Sequence, residues 1–84
     1  VVSASNSAVV VETVKRSEDG RAIVLRLCES LGKGAQTSLT TRFAHEKAVY
    51  ADLLERPLGE ADLKRIGLRP YQIVTIRLEG GTLR

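Results

Sequence analysis

The side chains that most often carry enzyme chemistry are rare in this sequence, which holds one histidine, His45, and one cysteine, Cys28. A zinc site needs three or four nitrogen, sulfur or carboxylate ligands, and these two residues fall in separate segments. Cys28 lies in an apolar run, which is typical of a buried structural cysteine. His45 lies in a short polar connection, which indicates a solvent-exposed loop. The sequence therefore predicts no catalytic residue, no cofactor site and no metal site.

Other motifs of known chemistry are incomplete. The Gly32-Lys33-Gly34 segment is similar to part of a phosphate-binding loop, but the full pattern Gly-x-x-x-x-Gly-Lys-Ser/Thr is absent. These residues are interpreted as a hairpin turn. The two carboxylates of a glycosidase must stand roughly 5 to 9.5 Å apart in a cleft. The ten acidic residues of this chain lie mostly beside turns or basic residues, which indicates surface positions.

Glu12 and Arg26 are the exception, because both interrupt segments that are otherwise strongly hydrophobic. An ordinary cross-strand ion pair, worth a fraction of a kcal/mol, accounts for them. The alternative is that their face packs on a neighbouring domain, where a charged pair orients the contact. Glu12 and Arg26 are therefore the candidate domain-interface residues.

Glu12 and Arg26 lie in two segments that are rich in β-branched residues, and these segments must position their side chains. Strands are predicted over 8–16 and 21–29, and the Ser-Glu-Asp-Gly sequence between them predicts a turn. A three-residue loop closed by Gly20 in the left-handed conformation sets the register of the hairpin. In that register Glu12 faces Arg26, and the opposite face of the hairpin is almost entirely apolar.

The strand pattern continues along the rest of the chain. Further strands are predicted over residues 35–43, 48–55 and 71–79. Within the stretch 58–66, residues 60–66 have helical composition between Gly59 and Gly67, so a loop, a short helix and a weak strand all stay open. Residues 1–5 and 80–84 are expected to fray, which leaves an ordered core of about 8–79. One all-β domain over 1–84 is predicted, a small antiparallel β-sandwich of about 5–7 strands.

Composition narrows the class of partner. The net charge of +3 is spread among acidic neighbours, and two tyrosines and one phenylalanine offer few rings for base stacking, so nucleic acid is not expected. No segment approaches the roughly 20 apolar residues of a membrane span, and no membrane partner is expected. A single cysteine and the lack of a glycosylation motif fit a cytoplasmic location.

Four segments form an ordered set along the chain. They are Val10-Val11-Glu12-Thr13-Val14-Lys15, Val24-Leu25-Arg26-Leu27-Cys28-Glu29, Asp52-Leu53-Leu54-Glu55 and Leu68-x-Pro70-x-x-Ile73-x-Thr75-Ile76-x-Leu78. In this order and spacing they resemble the C-terminal β-sandwich domain of glycoside hydrolase family 38 α-mannosidases, over about residues 9–78. Two departures are Cys28, where an aromatic residue is expected, and a stretch at 58–67 that is shorter than the usual insertion.

The resemblance implies the C-terminal fragment of a much longer enzyme that hydrolyses terminal α-linked mannose with retention. Such enzymes use a carboxylate nucleophile and a bound zinc ion, both in the N-terminal catalytic domain, and none of those residues maps onto this chain. The implied partners are that catalytic domain and further copies of the enzyme in a homo-oligomer. The implied role is to stabilise the enzyme, to shape the rim of its cleft or to support oligomer contacts. A stand-alone module that binds carbohydrate or protein is the alternative.

Overall fold

The computed structural model describes residues 2–41, 45, 47–52 and 56–80. Over these residues the chain forms nine β-strands and no helix. The strands are β1 Val2–Ala4, β2 Val9–Arg16, β3 Ala22–Glu29, β4 Ala35–Thr37, β5 Leu39–Thr41, β6 Lys47–Ala51, β7 Pro57–Glu60, β8 Ile66–Leu68 and β9 Ile73–Glu79. The predicted all-β class is confirmed, with more and shorter strands than expected. No described helix could span a membrane.

Five strands form one main sheet in the order β2-β3-β9-β6-β7, and all neighbours are antiparallel. Two small sheets, β1-β5 and β4-β8, complete the architecture. Strand β9 lies at the centre of the main sheet, between β3 and β6, although it is the last described strand. The main sheet therefore depends on pairing between parts of the chain that are far apart in sequence.

The hydrophobic core lies between the main sheet and the two small sheets. Successive side chains of a strand point to opposite faces, so alternate residues of β3 and β9 enter the core. Leu39, Ile66 and Leu68 reach the same core from the small sheets. The buried core residues are Val9, Ile23, Leu25, Leu27, Leu39, Ile66, Leu68, Val74, Ile76 and Leu78. Two layers of strands thus enclose one core, as in a sandwich.

The loop of the β2–β3 hairpin is one residue longer than predicted. The Ser17 amide donates to the Ala22 carbonyl at 2.9 Å, so residues 18–21 form the loop. Gly20 takes the predicted left-handed conformation, with φ of 73°. Taken alone, this pairing would turn the apolar residues at the start of β2 away from the core.

A β-bulge at Glu12 restores the core face of β2. The ladder shifts between Val11 and Thr13, so Val11 still packs against the core while Thr13 faces Arg26. The predicted register holds from the start of β2 to Val11 and is wrong from the bulge to the loop. Arg26 consequently does not face Glu12. An extra residue in one strand is the usual way to reconcile a loop length with the alternation of the strand.

Segment 35–43 was predicted as one strand, but its described part forms β4 and β5, which belong to different sheets. The chain switches sheets at Ser38, whose amide bonds the Ser5 hydroxyl at 3.0 Å and whose carbonyl accepts from the Ser5 amide at 2.9 Å. Residues 42–43 lie outside the described residues.

The remaining differences concern strand ends. Residues 2–4, predicted to fray, form β1 against β5. The stretch 58–66 contains most of β7 and the start of β8 rather than a helix. Of the predicted strand 48–55, residues 48–51 belong to β6, which ends at Ala51. Residues 53–55 lie outside the described residues. The last strand begins at Ile73, because the two preceding residues belong to a turn and its exit.

Replacement Leu25→Ala is expected to lower the free energy of unfolding by about 2–5 kcal/mol, because it leaves a cavity at a core position. The Leu25 side chain is fully buried, whereas that of Leu31, the matched control, is 59% exposed. Leu31→Ala should change stability by less than about 0.5 kcal/mol. Urea unfolding followed by circular dichroism compares the two variants, and equal losses would contradict this description of the core.

Candidate functional site

The main sheet has a second face that points away from the core, called here the outer face. It is built from the residues that alternate with the core positions. They are Val10, Thr13 and Lys15 of β2, Ala22, Val24, Arg26 and Cys28 of β3, Lys47, Val49 and Ala51 of β6, and Ile73, Thr75, Arg77 and Glu79 of β9. Several of these residues are buried, among them Ala22, Val24 and Thr75, so only part of this face is open to solvent.

One end of the outer face is closed by a salt bridge. The Arg77 Nη2 atom donates to Asp19 Oδ2 at 2.6 Å, and Arg77 Nε lies 3.4 Å from Glu79 Oε2. Arg77 faces Val24 across the sheet, whereas Asp19 lies in the loop beyond Ala22, so the aliphatic part of Arg77 covers this end. Ala22 and Val24 are fully buried there.

Asp19 is held by its own loop as well. The Ser17 hydroxyl donates to Asp19 Oδ1 at 2.5 Å, and the Arg21 amide donates to the same atom at 2.9 Å. The Ser17 hydrogen bond, followed by those of Arg21 and Arg77, holds the pKa of the Asp19 carboxyl far below its usual value. The closed end therefore has its charges satisfied within the domain.

The other end of the outer face is apolar and open. Val10, Cys28 and Ile73 lie side by side across β2, β3 and β9. The Val10 side chain is 45% exposed and that of Ile73 is 55% exposed, while Cys28 is half-buried. Contiguous exposed apolar side chains are typical of a surface that contacts another body.

Arg26 lies between the two ends, with Thr13 on one side and Thr75 on the other. Its Nε atom is buried and has no hydrogen-bond partner among the described residues. A buried donor without an acceptor costs about 1–3 kcal/mol. Of the two residues predicted at an interface, Arg26 thus lies on the outer face, whereas Glu12 is exposed in the bulge of the edge strand. None of the ion pairs among the described residues joins Glu12 to Arg26.

A buried carboxylate next to the open end joins two turns. Glu29 ends β3 and is fully buried. Its Oε1 atom accepts from the amides of Gly32 at 2.7 Å and Tyr71 at 3.0 Å, and its Oε2 atom accepts from the Lys33 amide at 3.2 Å. These donors, the Tyr71 amide first among them, lower the pKa of the Glu29 carboxyl. The turn that is similar to part of a phosphate-binding loop therefore binds a carboxylate of its own chain.

A cleft of about 700 Å³ opens beside the start of β9. Apolar side chains such as Leu58 and Ile73 line it together with the polar Arg69 and Gln72. Tyr50 is the one aromatic residue among the described lining residues. A single ring gives little surface for stacking on a sugar, so the geometry does not favour a stand-alone carbohydrate module.

The two residues considered as metal ligands, Cys28 and His45, both belong to the described part of the chain. No group of three or more His, Cys, Asp or Glu side chains there could hold a metal ion. His45, predicted to be exposed, is half-buried, and Cys28 lies on the outer face. The polar clusters that border the outer face contain Ser17, Asp19, Glu29 and Arg77. Sequence reasoning missed these clusters, and the available signal was a charged residue within or at the end of an apolar strand.

Stability is expected to fall in acid, because Asp19 and Glu29 bind protons more weakly in the folded chain than in the unfolded chain. Their contribution is fully present above about pH 5 and is lost as the pH falls toward their lowered pKa values. Glu29→Gln should lower the urea midpoint at pH 7 and weaken its decline between about pH 5 and pH 2. Glu12→Gln, in which an exposed carboxylate is removed, is the matched control. A Glu29→Gln profile that coincides with that of the unsubstituted protein would contradict the role of this carboxylate.

Known proteins match the chain over the segment that contains these features. Residues 8–76 match the family model described as "Glycosyl hydrolases family 38 C-terminal beta sandwich domain". The chain is 35% identical over 85 residues to "Alpha-mannosidase 2C1" of Homo sapiens and 34% identical to that of Mus musculus. Each match covers 90% of this chain and 8% of the relative, so the chain spans a small part of these curated relatives. No solved structure matches it.

Proposed function

Because the chain belongs to the family of C-terminal β-sandwich domains of family 38 glycosyl hydrolases, we propose that it is a non-catalytic accessory domain of an α-mannosidase-like enzyme. The parent enzyme hydrolyses terminal α-linked mannosides, and this domain stabilises the catalytic domain by packing on the same polypeptide. The observation that carries the proposal is the family match over residues 8–76, which includes the Glu29 turns and all of the outer face except Arg77 and Glu79.

The hydrogen bonds of Asp19 and Glu29 support a non-catalytic role for these two carboxylates. A catalytic carboxylate must reach the substrate with a free oxygen. Both oxygens of Glu29 accept backbone amides, and both oxygens of Asp19 accept protein donors. These groups therefore act within the fold, and the hydrolytic chemistry is assigned to the remaining polypeptide.

The same proposal places the zinc ion and the carboxylate nucleophile in the catalytic domain, outside this chain. The domain itself supplies no cofactor ligand, and its partners are the catalytic domain and, in a homo-oligomer, further copies of the enzyme. Neither nucleic acid nor a membrane is a partner. The enzyme works in the cytoplasm, which is supported by the single cysteine and the absence of a glycosylation motif.

In the full-length enzyme, Leu25→Ala is expected to lower the temperature of half-inactivation by roughly 4 °C or more, because loosening the domain withdraws its support from the catalytic domain. The initial rate on a chromogenic α-mannoside at low temperature should stay unchanged. Leu31→Ala, which removes the same groups from an exposed side chain, is the control. An unchanged half-inactivation temperature in a Leu25→Ala enzyme with a loosened domain would contradict the stabilising role. The lack of α-mannosidase activity in the unsubstituted polypeptide would contradict the parent activity.

Removal of zinc from the full-length enzyme with a chelator should abolish hydrolysis and leave this domain folded. Hydrogen exchange, read in peptides from β3 and β9 by mass spectrometry, should remain slow after chelation. Added zinc should restore activity. Rapid exchange in those two strands after chelation would show that the metal supports this domain, contrary to the proposal.

A further inference from the structure

We propose that the open end of the outer face, formed by Val10, Cys28 and Ile73, docks together with the adjacent Arg26 on the remainder of the same polypeptide, which presents an apolar surface that carries one carboxylate. Arg26 binds that carboxylate in a salt bridge. This inference rests on the proposed function, since it identifies the face that an accessory domain uses and the chemistry of the surface it meets.

The contrast between the two ends of the outer face is the first argument. At the closed end Arg77 is paired with Asp19 and Glu79, and it covers fully buried residues of β3. At the open end the apolar row of Val10, Cys28 and Ile73 has no comparable cover, and two of its members are about half exposed. Burial of this row against another surface removes apolar area from water and is favourable.

The charge of Arg26 determines which kind of partner surface can cover the open end. Its cross-strand neighbours Thr13 and Thr75 are uncharged, and its buried Nε has no partner among the described residues. A wholly apolar partner would cover a cation without pairing it, which is strongly unfavourable. A carboxylate can accept hydrogen bonds from a guanidinium, so it would pair the charge of this half-buried side chain and fix the orientation of the contact.

A second copy of this domain is a poor occupant of the same surface. In a twofold contact each patch meets itself, so the two Arg26 side chains would approach each other. The row of Val10, Cys28 and Ile73 and the row of Thr13, Arg26 and Thr75 contain no acidic residue that could separate these charges. The matched segment is only 8% of the length of the relatives. If this chain likewise belongs to a longer polypeptide, the rest of that polypeptide is available to cover the surface.

The test is alkylation of cysteines introduced one at a time into the full-length enzyme that carries Cys28→Ser, since a cysteine at position 10 would otherwise face Cys28 within disulfide distance. Val10→Cys probes the open end, and Thr40→Cys probes an exposed position of β5 in a small sheet, on the other side of the domain. Iodoacetamide labelling, read peptide by peptide with mass spectrometry, should be at least tenfold slower at Val10→Cys. Equal rates at the two positions would overturn the inference. Protection that appears only at high protein concentration would also overturn it, since a second copy would then cover the face.

The salt bridge is tested by Arg26→Gln in the Val10→Cys background. Loss of the pair should raise the labelling rate several-fold, while hydrogen exchange in β9 stays slow and shows that the domain is folded. Arg16→Gln, at an exposed position of β2, is the matched control and should leave the rate unchanged. If Val10→Cys stays protected when Arg26→Gln is added, the proposed salt bridge between Arg26 and a carboxylate is overturned.

The two proposals fail in different ways. If destabilising this domain lowers the half-inactivation temperature while Val10→Cys stays fully accessible, the accessory role stands and docking uses another face. If Val10→Cys is protected and sensitive to Arg26→Gln in a polypeptide without α-mannosidase activity, the docking face stands and the parent activity is wrong.

Discussion

The buried carboxylate of Glu29 is the constraint on which the centre of this fold depends. A carboxylate without solvent contact must be hydrogen-bonded, and its donors come from two turns that are far apart in sequence. One donor is the amide of Tyr71, which lies 42 residues from Glu29 and adopts the left-handed conformation with φ of 57°. That conformation is uncommon for a tyrosine and persists because its surroundings hold it. The turn before β9 is thereby fixed to the end of β3.

The opposite ends of the same two strands are joined by Arg77 and Asp19, which lie 58 residues apart. Strands β3 and β9 are therefore connected at both ends by charged groups as well as along their ladder. The charges in these connections are used inside the domain. Arg26, in the middle of β3, differs from them because its buried Nε has no partner among the described residues. The surface around Arg26 is consequently the one that we propose to make further interactions.

The proposed accessory role agrees with the limited core that a domain of this size can form. A chain of this length buries only roughly 60% of the surface that its unfolded form exposes, so its own core provides limited stability. Packing an apolar patch against a larger body adds stability to both partners, because binding to the folded state shifts the unfolding equilibrium. The proposed docking therefore agrees both with the family to which the chain belongs and with an open apolar end beside Arg26, whose buried Nε has no partner among the described residues.

The sequence by itself determined the all-β class, the left-handed Gly20 and the position of Arg26 as a charge within an apolar strand. These features depend on local alternation and turn chemistry, which neighbouring residues specify. The bulge at Glu12, the change of sheet at Ser38 and the partners of Glu29 and Arg77 were decided only by the tertiary structure. Each of these requires groups that are distant in sequence to meet, and a local pattern carries no information about which distant donor or strand will be there.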